Sequence, residues 1–407
     1  MFTEVQIENY KSIQSLKIGL GRVNVFIGEN GCGKSNILEA IALAGAAAGN
    51  KLDNEFLAPR GIRVTEPEFM RSAFAKENII KAIKVNLNIS NDIPLNVEIQ
   101  NDNQTYSSWH VVNQKSVNLF LQSPNPESFL IDISPEFENS IKQMAEDTIK
   151  AQLKEMNIDI SNSQEIIDSF KNSFKNVTLN FLNIVSQENL KLRDFLIFTP
   201  EYSSLRTFEQ EGQIQPLGNS GEGLLKLLQV LNDNPDKINE IKQRLELIDW
   251  FDDFKIPNSD LERVIKIKDR YLDKELPYFN QRSSNEGFLF LIFYFALFVS
   301  DDTPKFFAID NIENALNPKL CTRLIQELVE LAKKYDKQVI FTTHNPAVLD
   351  GLDLSDDEQR LFVIYRNVDG HTKARRISAP EPLEDDDPVQ LSEAFINGYL
   401  GGLPKNF

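Results

Sequence analysis

The sequence predicts an α/β fold in which a phosphate-binding loop joins a buried strand to a helix, with an antiparallel β-lobe and a helical insertion attached. Three observations predict it. The run Gly28-Glu29-Asn30-Gly31-Cys32-Gly33-Lys34-Ser35 fits G-x-x-x-x-G-K-[ST] and lies between Val23–Ile27, rich in β-branched and aromatic residues, and Asn36–Leu43, apolar at helical spacing. Phe306-Phe307-Ala308-Ile309-Asp310 is an apolar strand ending in an acid. A second such strand follows and ends in Phe341-Thr342-Thr343-His344-Asn345-Pro346.

In chain order, Phe2–Ile7 and Leu16–Ile18 read as strands ahead of the loop strand. From Lys81 to Leu121 apolar and polar residues alternate, as in Ile83-Lys84-Val85-Asn86-Leu87-Asn88-Ile89, the period of an antiparallel strand. From Ser134 to Lys191 the pattern turns helical and charged. Dense α/β signals resume at Gly218: strands at Lys305–Ile309, Gln338–Thr342 and Leu361–Tyr365, and an amphipathic helix at Leu320–Tyr335. The expected division is 1–133, an N-terminal lobe with the loop and β-subdomain; 134–196, the helical insertion; and 197–407, a C-terminal lobe.

Composition narrows the function classes. The 407 residues carry a formal net charge of −17, which disfavours bulk electrostatic attachment to nucleic acid but leaves room for a local basic stripe. Cys32 and Cys321 have no neighbouring Cys or His at metal-ligand spacing, so neither zinc nor a disulfide framework is expected, and a reducing cytoplasm fits. Met1-Phe2-Thr3-Glu4 shows no signal pattern. The apolar run Phe288–Val299 falls short of the ~20 residues that cross a bilayer, so a buried helix and no membrane association are expected.

The loop's residue types follow from its chemistry. Glycines let backbone N–H groups turn inward around phosphate oxygens, Lys34 reaches the terminal phosphates, and the Ser35 hydroxyl ligates Mg²⁺. Asn30, Gly31, Cys32 and Gly33 complete the cradle, and the helix behind it points its positive end at the anion. Asp310, placed by a buried strand, is the second expected Mg²⁺ ligand, acting through water. His344 stands where a γ-phosphate sensor would, though a strand-end histidine satisfied by backbone reads the same way. Arg282-Ser283-Ser284-Asn285-Glu286-Gly287 feeds the apolar helix; it reads either as a second anion turn centred on Ser284 or as an ordinary helix start capped by Ser283 or Ser284.

The order Ile7-Glu8-Asn9-Tyr10-Lys11-Ser12-Ile13, loop, serine turn, Asp310, Thr343-His344-Asn345-Pro346 resembles the SMC/RecF/OLD-like branch of ABC-type ATPases, often classed as AAA-family ATPases. The likeness covers about residues 1–60 and 200–370. It implies an ATP- and Mg²⁺-dependent head that forms a homodimer or higher homo-oligomer around the nucleotide, with Ser284 presented to the nucleotide of another subunit. It also implies work in DNA repair, chromosome maintenance or phage defence, the last with a separate nuclease or toxin as effector. The branch usually carries Asp-Glu after the acid-ended strand, the glutamate polarising water. Here the pair is Asp310-Asn311, and an amide cannot take a proton, so the expectation is slow hydrolysis and a long-lived ATP-bound assembly; the alternative is that Glu313 or a partner residue supplies the base and turnover is ordinary.

The 63 residues after His344 are too few for a nuclease domain of the OLD kind, so effector chemistry is expected on another chain. Glu381 and Glu384–Asp387 read as a solvated loop. Lys266, Lys268 and Arg270 share one strand face, which reads as a solvated face ahead of a surface for nucleic acid or phosphate, and Lys373, Arg375 and Arg376 read the same way. They leave direct DNA binding open. A scaffold that binds ATP without turning it over stays open too.

Overall fold

A computed structural model describes residues 1–89, 93–112, 187–208, 216–257, 262–276, 278–379 and 390–403. The chain divides into two compact units, Met1–His110 with Lys191–Phe407, and Val111–Leu190. The first holds every element below except the last residue of β6. Most of the expected helical insertion, and the acidic run 384–387, lie outside the described residues.

The antiparallel lobe contains β1 (Phe2–Tyr10), β2 (Ile13–Gly19), β4 (Ile83–Ile89), β5 (Ile93–Gln100) and β6 (His110–Val111), ordered β2-β1-β4-β5-β6. Burial along β4 alternates as its sequence does, with Ile83, Val85, Leu87 and Ile89 inside. A small antiparallel sheet, β10-β9-β8, is built from β8 (Phe251–Lys255), β9 (Lys266–Asp269) and β10 (Tyr278–Asn280).

The central sheet runs β14-β13-β3-β12-β11-β7. Its members are β3 (Val23–Ile27), β7 (Ile197–Phe198), β11 (Phe306–Ile309), β12 (Gln338–Thr342), β13 (Gln359–Arg366) and β14 (Thr372–Ile377). All pairings are parallel except β13 with the edge strand β14. β3, β11 and β12 are buried at every residue, the signature of a parallel sheet covered on both faces. The helix Glu286–Val299 is buried all round from Phe288 onward, which is why its sequence shows no polar stripe. Its Phe293 and Phe298 pack edge-on against Phe198 and Phe307 of the sheet. The helix Pro318–Lys334 instead shows one apolar face and is capped by the Asn317 side chain. β3, β12 and β11 therefore lie side by side with their carboxyl ends together, the edge where open parallel sheets bind ligands.

Two tethers brace this unit. The stretch 391–403 docks on this unit: Ser392 N donates to Asp350 Oδ1 at 2.9 Å, Phe395 is buried in the core, and Gly402 packs beside Gly28 and Val363. Lys337, fully buried, aims its ammonium at Ser300 O, Thr303 Oγ1, Thr303 O and Pro304 O at 2.7, 2.8, 3.0 and 3.2 Å. It thus ties the end of the apolar helix to the start of β12.

Burial, with Lys305 nearby, pushes the Lys337 ammonium down to about 7 from 10.5. Lys337→Met keeps the volume and removes the donors, and should cost about 3 kcal/mol of unfolding free energy in urea titration, because three backbone carbonyls lose a buried partner. The folded value lies below the unfolded one, so between about pH 7 and 10.5 the unfolded chain holds the extra proton. This lysine's contribution to stability therefore rises with pH across that window. The variant's profile should be flatter there.

Candidate nucleotide-binding site

Backbone conformation explains the glycines of the loop. Gly28, Gly31 and Gly33 have φ of 149°, 77° and 110°, which side chains with a Cβ rarely adopt. At two of them space is also closed. A Cβ on Gly28 would lie 2.1 Å from Ile364 O, and one on Gly33 would lie 2.2 Å from Thr372 Oγ1. Asn30 and Gly31 form the exposed tip, while Cys32 and Gly33 are buried at the start of α1 (Lys34–Ala48).

Lys34 is buried, and its Nζ donates to Gly28 O at 2.8 Å and Glu29 O at 3.3 Å. Burial lowers its pKa; Cys32, Asp310, Glu313 and Glu29 oppose the shift. Ser35 Oγ donates to Asp310 Oδ2 at 3.3 Å, so residues 275 apart meet across the carboxyl ends of β3 and β11. The Thr342 hydroxyl donates to Asp310 Oδ1 and accepts from Asn311 N at 2.9 Å. One carboxylate oxygen is thereby fixed and the other is turned to Ser35.

Glu313 reaches the same edge. Its Oε1 accepts from His344 N at 2.8 Å, and its Oε2 is buried with no hydrogen bond from a protein group. Burial and then Lys34 lower the His344 pKa, against Glu313 and Asp310, so the imidazole is neutral at pH 7. Asn311 has φ 56°, in the left-handed region that asparagine tolerates better than most residues. A side chain without that tolerance is strained there.

The structure thus gathers Lys34, Ser35, Asp310, Glu313 and His344. It does not bring Ser284 to them. Ser284 is buried, its Oγ has no partner, and the helix it precedes is capped by Asn285, which accepts from Phe288 N at 2.8 Å. The cap is therefore neither Ser283 nor Ser284. Asn285 and Gly287 share a separate cavity of about 790 Å³ with Ala315 and Asn317.

Sequence reasoning missed the supports of the loop. Arg366 Nε donates to Gly31 O at 2.9 Å and Thr372 Oγ1 to Cys32 O at 2.8 Å. Thr372 meets Ser12 Oγ at 2.7 Å, and Asn36 Nδ2 donates to Ser12 at 2.6 Å. Glu39, buried in α1, pairs with Lys11 and with Arg63, the latter at 2.5 Å. A cavity of about 450 Å³ beside the loop is lined by Lys11, Asn36, Arg63, Arg366, Phe69 and Phe74, among others. Only the hydroxyl of Thr342, next to Thr343-His344, had a local signal: a polar residue at a buried strand end.

The basic candidates are all engaged. Lys266 pairs with Glu262 at 3.0 Å, Lys268 with Asp252 at 2.5 Å and Arg376 with Asp357 at 2.5 Å. Arg270, Lys373 and Arg375 donate to the backbone oxygens of Phe251, Ser15 and Leu400 at 2.8, 3.2 and 2.5 Å. Among the described residues no three His, Cys, Asp or Glu side chains cluster as a metal site, and no helix is long and apolar enough to cross a membrane.

The chain is similar to several known proteins. An uncharacterized protein of Methanocaldococcus jannaschii is 29% identical over 154 residues, 36% of this chain and 68% of that one. The DNA replication and repair protein RecF of Bacillus mycoides is 39% identical over 54 residues, 13% of this chain and 14% of its own length. The Smc head domain derived from Pyrococcus furiosus, solved bound to the C-terminal domain of ScpA, aligns over 93% of this chain and 96% of that one at 15% identity and TM-score 0.48. The SMC head domain from Thermotoga maritima aligns over 93% and 99% at 14% identity and TM-score 0.43. Residues 23–350 match the family model described as "AAA domain, putative AbiEii toxin, Type IV TA system". That span takes in the loop, the Asp310 strand and the His344 strand, and the chain belongs to this AAA-domain family.

Proposed function

We propose that this chain binds Mg-ATP at the loop, hydrolyses it slowly, closes into a homodimer or higher homo-oligomer around it, and in that state holds or regulates a separate effector protein in bacterial phage defence. The observation that carries the nucleotide reading is the approach of Ser35 Oγ to Asp310 Oδ2 at 3.3 Å beside the Lys34 ammonium. Two hard oxygens next to a phosphate cradle suit Mg²⁺, which takes few protein ligands and fills its shell with phosphate oxygens and water. When bound, that ion would neutralise charge developing on the phosphates. Lys34 would bind the phosphates, Thr342 would orient Asp310, His344 would sense the γ-phosphate as a neutral imidazole, and Glu313 would take the proton from water.

Slow turnover is supported by Asn311, an amide at the position of the expected base. Assembly is supported by the resemblance of the loop, Asp310 and His344 to a branch whose heads dimerise around ATP; the Ser284 hydroxyl is buried and would have to become exposed to meet another subunit's nucleotide. The defence reading is supported by the toxin–antitoxin wording of the family description. The RecF match favours a second reading, direct DNA binding, but the engaged state of the basic residues weakens it.

Mass by light scattering with and without Mg-ATP, beside phosphate release, tests the proposal. Assembly on ATP with release below the enzyme median of about 10 s⁻¹ by at least tenfold is expected. Assembly without any release would make the chain a nucleotide-dependent scaffold. Unchanged mass with brisk release would overturn the slow-assembly reading.

A further inference from the structure

The cavity of about 450 Å³ beside the loop has the size of a small-ligand site and two unlike walls. One wall is polar and already occupied with itself. Asn36 spends Nδ2 on Ser12 and Oδ1 on Arg63, Lys11 lies on Glu39 and Arg63 O, and Arg366 holds Gly31 O. The other wall is aromatic and open. Phe69 is 60% exposed and Phe74 45% exposed. Phe74 is nonetheless set in place: His371 meets its ring edge-on at 4.7 Å between centroids, and Gly370, at φ 81°, leaves room for it.

The cavity's position follows from two consecutive residues. Ser35 turns to Asp310, whereas Asn36 turns to Ser12 in the cavity wall. A polyphosphate on the loop amides therefore has the Asp310 side at one end and this cavity at the other. Exposed aromatics have affinity for flat π-systems, and stacking is tolerant of base identity because every base has a π-face. Discrimination between bases needs free donors and acceptors facing the base edge. Here the Asn36 amide, which could pair with a base edge both as donor and as acceptor, is engaged on both sides.

We propose that Phe74, with Phe69, is the stacking platform for the base, and that the site takes purine nucleoside triphosphates as a class, ATP and GTP alike. The inference rests on the nucleotide reading above and adds the part of the ligand that the loop does not touch. Phe74 is a binding residue here; it takes no part in phosphate chemistry.

The test is calorimetric titration of ATP, GTP, CTP and inorganic tripolyphosphate, each with Mg²⁺, into the full chain and its Phe74→Ala and Phe74→Trp variants. ATP and GTP should bind within about threefold of each other and CTP about tenfold more weakly. Phe74→Ala should weaken ATP and GTP about tenfold while leaving tripolyphosphate within about twofold, and Phe74→Trp should retain purine affinity. Phe74 is half exposed, so a melting temperature near that of the wild type is expected for both variants. Unchanged ATP affinity in Phe74→Ala, equal loss for tripolyphosphate, or a preference of about a hundredfold for ATP over GTP would overturn the proposal. A wild type that binds tripolyphosphate and nucleotides equally would remove the base platform and leave the loop reading standing. A wild type that binds neither would remove both.

Discussion

Lys34→Ala is expected to weaken Mg-ATP binding by about a hundredfold or more in calorimetric titration, since each charge-assisted contact to a phosphate contributes about 1.5–3 kcal/mol. The loss has two parts. The phosphates lose their cation, and Gly28 O and Glu29 O lose the donor that holds the loop closed. Arginine should not rescue it, because a planar guanidinium cannot occupy the space of a compact ammonium between those carbonyls. Burial holds the Lys34 pKa below its ordinary 10.5, so the cation is lost earlier than usual as pH rises, and affinity should begin to fall on the alkaline side before an ordinary lysine would titrate. Wild-type affinity in the alanine variant would remove the loop from the nucleotide site.

Glu313→Gln is expected to lower kcat for phosphate release by about a hundredfold with little change in KM, the size of effect typical of removing a general base. The geometry singles out this carboxylate: Oε1 is anchored by His344 N and Oε2 is unengaged. Glutamine keeps the anchor and loses the basicity, so the split between kcat and KM separates proton transfer from positioning. Asn311→Glu should raise kcat less than about tenfold. The backbone at 311 is left-handed, which costs a residue other than glycine or asparagine of order 1 kcal/mol. A glutamate placed there starts with strain, and its carboxylate has no anchor like that of Glu313. A large gain in Asn311→Glu, with Glu313→Gln silent, would return the base to position 311.

The fold was legible where burial imposes a period. Alternation marked β4, an unbroken apolar run marked β11, runs rich in β-branched and aromatic residues marked β3 and β12, and a helical stripe marked Pro318–Lys334. The loop was legible because few sequences satisfy three positive-φ glycines followed by Lys-Ser. The supports were not, because they join residues hundreds apart with no local pattern: Ser12 to Thr372, Arg366 to Gly31, Gly402 to Gly28. The basic face on β9 was legible as a face, but a sequence does not say that Asp252 of β8 lies across from it or that Glu262, just ahead of the strand, turns onto Lys266. The cap of the apolar helix was misplaced by one or two residues because serine and asparagine compete for the same role.

The order of the central sheet has a mechanical consequence. β12 separates β3 from β11, so the loop strand and the Asp310 strand stand two strand spacings apart, roughly 9–10 Å, with no hydrogen bond between them. Consecutive residues at the end of β12 face opposite neighbours: the Thr342 hydroxyl holds Asp310, and Thr343 N holds Phe26 O at 3.2 Å. His344 is the next residue, and its own N–H holds Glu313. The strand end is therefore braced on both sides at once, by Thr342 against Asp310 and by Thr343 against Phe26 of β3, so neither neighbour can shift without straining a bond to β12.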